Sequence, residues 1–161
     1  MKLVLTKYMA GVDSLNRVIG WILAIMISLM SIFIFWQVLA RKVLGSSLSW
    51  SEEISRFLMV WVVLLGAAYA LKKGELIAVE LLPELLSEKG KKILLVFVSL
   101  FSLVFYIILT IYGWEITQSV KVQIAPGTGL SMFWVYLALP AGGILFILNT
   151  FYLIIEKFMK K

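Results

Sequence analysis

Four long apolar runs divide the chain into segments that are joined by short polar connections. The runs cover approximately residues 18–40, 50–71, 93–114 and 132–155. Each run reaches the roughly 20 residues that an α-helix needs to cross the hydrocarbon core of a bilayer. The pattern therefore predicts an all-α membrane protein with four transmembrane helices, and we expect residues 1–161 to form a single domain.

Polar residues at the ends of the first two runs indicate where these helices begin. Asp13 or Ser14 is a candidate N-cap for the first helix. Ser49, followed three residues later by Glu52, is a capping-box pattern for the second helix, in which both side chains satisfy backbone N–H groups. Both helices are thus predicted to start with a side-chain cap.

The connection between the second and third runs has an amphipathic pattern. Glu80, Glu84 and Glu88 recur once per helical turn among leucines, and Pro83 lies between them. This spacing predicts a short helix that lies in the membrane interface and that starts or bends at the proline.

The third connection and the fourth run contain helix breakers. Pro126, Gly127 and Gly129 predict a turn after an exposed extension of the third helix. Pro140, in the sequence Pro-Ala-Gly-Gly, predicts a kink in the fourth helix because proline lacks the N–H group of the helical ladder.

Composition supports the membrane assignment and excludes several chemistries. The chain is 62% hydrophobic and 15% charged, with a mean hydropathy of +1.02, whereas soluble domains are about half apolar. It has no cysteine and no histidine, which excludes disulfides, thiolate catalysis and histidine-ligated metals. We therefore predict no metal, no cofactor and no enzyme activity. The first run is too long and lacks a cleavage site for a signal peptide, so we expect it to be retained.

The distribution of Lys and Arg predicts the orientation in the membrane. Four spans place both termini on one side, and that side carries eleven basic residues against three on the other. By the positive-inside rule, both termini are predicted to be cytoplasmic and the 36–53 hairpin faces outward. The basic excess of six charges is explained by these loops, so we predict no nucleic-acid partner.

Charged residues are concentrated around the first hairpin. Arg41 lies before the connection, and Trp50, Glu52, Glu53 and Arg56 lie at the start of the second helix. The simplest interpretation is a structural ion-pair cluster, because acidic groups are favoured near a helix N-terminus and Arg56 lies one turn away. The alternatives are an ion-coupling site and a docking patch for another subunit. We prefer docking to coupling, because the charges lie at the end of a span.

Small residues form a strip on the second helix that could allow close helix packing. The strip consists of Gly66, Ala67, Ala70 and Gly74, with Ala68 alongside. It can serve packing within the chain or on a partner, and Gly142 and Gly143 are a candidate counter-surface. Apart from Gln37, which lies near a span end, we find no carboxylate, lysine or amide in the middle of a predicted span, where a transporter binds its solute. We therefore expect this chain to lack a transport site of its own.

The region from Arg41 to Val79 resembles the small permease subunit of tripartite ATP-independent periplasmic (TRAP) transporters. The matching residues are Arg41, Gly45, Trp50, Glu52, Glu53, Arg56, Trp61, Gly66, Ala67, Ala68, Gly74, Ile77 and Val79. Leu76 stands where the family often has His. The resemblance extends over nearly the whole chain, including the Leu-Ala-Leu-Pro-Ala-Gly-Gly sequence of the fourth run.

This resemblance implies a bacterial inner-membrane subunit of a sodium-coupled symporter for organic acid anions, such as C4-dicarboxylates or sialic acid. It also implies two protein partners, a large permease that carries the transport sites and a periplasmic substrate-binding protein. The small subunit would brace the large one within the membrane lipids and help to dock the binding protein. The alternative is a self-assembling channel or exporter, which needs a polar pore-lining stripe. A membrane enzyme ranks last.

Overall fold

A computed structural model of the chain describes residues 2–43, 45, 48–74 and 87–159. Within these residues the helices are α1 (Lys2–Val43), α2 (Ser49–Lys73), α3 (Glu88–Ser119), α4 (Phe133–Tyr136) and α5 (Ala138–Met159). By length and composition, α1, α2, α3 and the α4–α5 pair are each able to cross a membrane. The prediction of an all-helical protein with four membrane-spanning segments is confirmed.

Helix α1 is much longer than the predicted span. It has 42 residues, which corresponds to about 63 Å, or about twice the 30 Å hydrocarbon core. The predicted N-cap at Asp13 or Ser14 is wrong, because both residues lie inside the helix. Residues 2–17 contain no proline, and buried Val12 and Asn16 pack this part of the helix against the rest of the bundle.

Helix α2 begins without the predicted capping box. Its N-cap position is Leu48, and no side chain caps the helix start. The backbone N–H groups of Ser51 and Glu52 instead bond to the Leu48 carbonyl oxygen, as in an ordinary first turn. At the other end Gly74 adopts the left-handed conformation (φ 71°) and its N–H satisfies carbonyl oxygens of the last turn.

The predicted interfacial helix between α2 and α3 falls mostly on residues 75–86, which lie outside the described residues. Helix α3 begins at Glu88, with the Ser87 hydroxyl accepting a hydrogen bond from the Gly90 N–H (3.3 Å). It ends at Ser119, so the predicted exposed extension beyond the third apolar run is confirmed.

The fourth span is interrupted slightly earlier than predicted. In a continuous helix the proline ring at position 140 would clash with the carbonyl of Tyr136, four residues back, and α4 ends at that residue. Leu137 separates α4 from α5, and Pro140 lies in the first turn of α5, where a missing N–H costs nothing.

Helices α2 and α5 form the centre of the bundle. They pack on each other, while α1 packs mainly on α2 and α3 packs on α5; α1 and α3 do not touch within the described residues. The buried core residues come from three helices: Ile19 and Leu23 of α1, Leu65 and Ala68 of α2, and Leu145 and Phe146 of α5. The two outer helices therefore leave wide apolar faces uncovered.

Candidate functional site

The sequence-predicted charge cluster lies at the end of the bundle that carries the connections 44–48 and 120–132, which we call the loop end. Arg56 forms an ion pair with Glu52 one turn away on α2. Gln37 of α1 donates a hydrogen bond to the other Glu52 oxygen (3.2 Å). Arg56 and Glu52 are both well exposed, with 69% and 48% of their side-chain surface accessible. Exposed pairs of this kind contribute little to stability, so the pair remains available to a partner.

Glu53 has a different role from its neighbour. One of its carboxylate oxygens accepts two hydrogen bonds from Thr128, from the backbone N–H (2.6 Å) and from the hydroxyl (2.8 Å). Bonds to an ionised acceptor are shorter and stronger than those between neutral groups. The Glu53 carboxylate therefore attaches the 120–132 loop to the start of α2.

The 120–132 loop is itself ordered by backbone contacts. Ile124 and Ser131 form an isolated antiparallel bridge, and the Gly129 N–H bonds to the Ala125 carbonyl (2.8 Å). Further into the bundle, the Trp61 indole N–H donates to the Trp134 carbonyl oxygen (3.0 Å), which joins α2 to α4. Together with Glu53, these bonds hold the loop end of α2 against the fourth span.

Arg41 and Trp50 complete the predicted cluster. Trp50 packs its ring edge-to-face against Phe33 of α1 (6.1 Å between centroids), and the Ser51 hydroxyl donates to the Phe33 carbonyl oxygen (2.9 Å). Arg41 is exposed and makes no ion pair with the described residues. The structure thus divides the predicted set into Glu53 and Trp50, which hold the fold, and Arg41, Glu52 and Arg56, which face outward.

The interior of the bundle contains an amide pair that the sequence interpretation missed. The side chains of Asn16 and Asn149 exchange two hydrogen bonds (2.7 and 3.0 Å) and are 2% and 0% exposed. Asn149 also donates to the Ala68 carbonyl oxygen (2.6 Å), so one cluster joins α1, α2 and α5. In the sequence, the amide of Asn149 within the fourth apolar run was the signal that could have indicated a buried polar contact. Asn16 gave no such signal, because it lies outside the predicted first span. No buried side-chain polar atom among the described residues lacks a partner.

A second polar group lies at the opposite end, which we call the terminal end because α1 begins and α5 ends there. Lys72 in the last turn of α2 forms an ion pair with Asp13 of α1. The Lys72 ammonium also lies over the Tyr152 ring (4.7 Å), and the Tyr152 hydroxyl donates to Asp13 (3.5 Å). Asp13 therefore connects helices and does not cap one.

The predicted small-residue strip has mixed surroundings. Ala67 packs against the core, and Gly66 leaves room, because a Cβ added there would lie 4.0 Å from the nearest Leu23 carbon. Ala70 is partly buried, and Gly74 terminates α2. The tightest approach is at Gly143, where an added Cβ would collide with Thr110 of α3. This places the closest backbone packing between α3 and α5.

Comparison with known proteins gives a match to one family model. Residues 30–160 match the family described as "Tripartite ATP-independent periplasmic transporters, DctQ component". The matched range covers the last third of α1 and all of the other helices.

Several relatives are similar over most of the chain. A putative TRAP transporter small permease protein of Haemophilus influenzae is 30% identical over 131 residues, which is 81% of both chains. The sialic acid TRAP transporter small permease protein SiaQ of Vibrio cholerae is 28% identical, over 68% of this chain and 63% of that protein. The sialic acid TRAP transporter permease protein SiaT of H. influenzae is 34% identical over 68% of this chain, but the match spans only 18% of its length.

Proposed function

The chain belongs to the DctQ component family of tripartite ATP-independent periplasmic transporters, and we propose that it braces the large permease subunit of such a transporter. The family is a transporter membrane subunit and not an enzyme. We propose further that the assembled transporter takes up an organic acid anion together with sodium. One relative is named for sialic acid, which is an anion, and another is the ectoine TRAP transporter small permease protein TeaB of Halomonas elongata, which is 28% identical over 75% of this chain. Sialic acid and ectoine, a zwitterionic carboxylate, are therefore the first substrates to test.

The observation that carries the bracing role is the contrast between the centre and the outside of the bundle. The centre is joined by hydrogen bonds between helices, including the Asn16–Asn149 pair and the Glu53–Thr128 contact. On the outside, α1 and α3 expose large apolar side chains along their lengths, such as Ile25, Phe35, Phe101 and Ile108. Because lipid provides no hydrophobic force between helices, such faces associate by close packing, which favours a rigid surface.

The loop end supports a docking role for the exposed charges. Glu52 and Arg56 carry opposite charges on an exposed surface at the start of α2, and Arg41 is exposed at the end of α1. Charges of this kind steer a soluble partner and fix its orientation more than they add affinity. We propose that Arg41, Glu52 and Arg56 contact the substrate-binding protein, and that Glu53 holds the surface in shape.

The orientation follows from the charge distribution. The terminal end carries most of the basic residues, so we propose that both termini are cytoplasmic in the bacterial inner membrane. The loop end would then face the periplasm, where a substrate-binding protein is found.

Co-purification tests the subunit assignment. The tagged chain is co-expressed with a TRAP large permease subunit of its own organism and is purified in mild detergent. We expect a stable complex of the two chains. Recovery of this chain alone, or as a homo-oligomer that conducts solutes, would contradict the proposal and support a self-assembling channel.

A further inference from the structure

A cavity of about 1090 Å³ opens at the terminal end of the bundle. It is as large as the sites that hold drug-sized ligands, which are about 300–1000 Å³. Residues from α1, α2, α3 and α5 line it. Because α1 and α3 do not touch each other within the described residues, the cavity is a cleft between these two outer helices, with α2 and α5 as its floor.

The charges around this cavity favour an anion. Four basic side chains line it, from Arg17, Lys72, Lys73 and Lys157, together with the acidic side chains of Asp13 and Glu156. Lys72 is neutralised by Asp13. Arg17 and Lys157 are exposed and make no ion pair with the described residues. A net excess of positive charge therefore remains at the mouth of the cleft.

The lining changes from charged to uncharged along the cleft. Lys72, Lys73 and Lys157 lie in the last turns of α2 and α5, and Arg17 lies on α1. The α3 wall consists of uncharged residues, which are Val98, Ser99, Ser102 and Tyr106. Val98 and Tyr106 are eight residues apart, so this wall is about 12 Å long. At its inner end the Tyr106 ring stacks on Phe146 (4.5 Å between centroids), next to the apolar core.

We propose that this cleft binds an anionic phospholipid, with its phosphate between Arg17 and Lys157 and its glycerol and upper acyl chains along the α3 wall. Basic pockets between transmembrane helices are known sites for anionic head groups. The basic mouth suits a phosphate and the uncharged α3 wall suits the glycerol and the upper acyl chains, and the described residues of α1 and α3 leave a gap between the two helices. This site is independent of the proposed bracing role.

Lipid retention by the purified full chain in neutral detergent tests the proposal. Native mass spectrometry follows binding as dioleoylphosphatidylglycerol or dioleoylphosphatidylcholine is added. We expect preferential retention of phosphatidylglycerol by the wild type. Since each basic residue near an anionic lipid contributes about 1 kcal/mol, or about fivefold, the double variant Arg17→Gln/Lys157→Gln should bind about 25-fold more weakly.

The double variant Lys42→Gln/Lys121→Gln is the matched control, because it removes the same charge from exposed positions at the loop end. It should bind phosphatidylglycerol as the wild type does. Equal retention of the two lipids, or equal loss in both double variants, would overturn the proposal. Displacement by millimolar inorganic phosphate would show a free-anion site and would also contradict it. Loss of the lipid when the large permease binds would assign the cleft to that subunit instead.

Discussion

At the scale of single residues, the polar side chains of this chain separate into internal contacts and exposed charges. Glu52 and Glu53 are adjacent and chemically identical, yet one pairs with exposed Arg56 and the other binds the 120–132 loop. Sequence could place both at a helix start, but their separate roles depend on Thr128, which is 75 residues away from Glu53. The Asn16–Asn149 pair shows the same limitation, because its partners are 133 residues apart.

The buried amide pair should contribute measurably to stability. Asn149→Ala removes its bonds to Asn16 and to the Ala68 carbonyl, so we expect the free energy of unfolding to fall by about 1–2 kcal/mol. Unfolding in mixed detergent micelles measures this change. Ser28→Ala is the control, since the Ser28 hydroxyl is exposed and bonds only within its own helix. If Asn149→Ala were as stable as the control, the stabilising role of the amide pair would be contradicted.

The two glutamates of the loop end should behave differently when each is replaced by alanine. Glu53→Ala frees Thr128, and charge-assisted bonds contribute about 1.5–3 kcal/mol, so trypsin should cleave after Lys121 at least about tenfold faster. Mass spectrometry quantifies the fragment that ends at Lys121. Glu52→Ala loses an exposed ion pair and the exposed hydrogen bond from Gln37; neither contact involves the 120–132 loop, so the rate should be unchanged. Equal rates in the two variants would refute the division of roles.

At the scale of elements, the length of the apolar runs was sufficient to predict the four spans but not to predict where the helices begin and end. The apolar runs correctly predicted four membrane-spanning segments. They placed the start of α1 sixteen residues too late, because Lys2 to Arg17 is amphipathic and is held by tertiary contacts such as the Tyr8 hydroxyl to the Leu148 carbonyl (2.8 Å). The break at Leu137 could have been placed from Pro140, since its ring excludes the carbonyl of Tyr136.

Close packing between α3 and α5 makes Gly143 sensitive to substitution. In Gly143→Ala the new methyl group would collide with Thr110, and overpacking of this kind costs about 1–3 kcal/mol. Gly66→Ala is the matched control, because its methyl group meets Leu23 only at 4.0 Å. Thermal unfolding in detergent compares the variants. A larger loss of stability in Gly66→Ala would place the tight interface on the predicted strip of α2.

At the scale of the whole molecule, the sequence predicted the number of spans and the family, but not which helices occupy the centre. The fourth span is the most buried. Half of the residues in its most apolar stretch lie inside the bundle, compared with about a tenth in α1 and α3. All four spans are similarly apolar, and hydropathy does not distinguish lipid from a neighbouring helix. The central position of α5 depends on particular residues, including Gly142, Gly143 and Asn149.

The orientation of the whole bundle can be tested with single cysteines, because the chain has none of its own. Lys121→Cys lies in the 120–132 loop and Lys7→Cys lies near the start of α1, and both positions are exposed. An impermeant maleimide should label Lys121→Cys in intact spheroplasts and Lys7→Cys only after the membrane is permeabilised. The reverse pattern would show that the termini face the periplasm.

Reconstituted transport tests the central claim most directly. Proteoliposomes would contain this chain alone, the large permease alone, or both, with the substrate-binding protein and radiolabelled sialic acid or ectoine outside and an inward sodium gradient. The bracing role predicts sodium-driven uptake only when both membrane chains are present. Uptake by this chain alone, or equal uptake by the large permease with and without it, would contradict the claim.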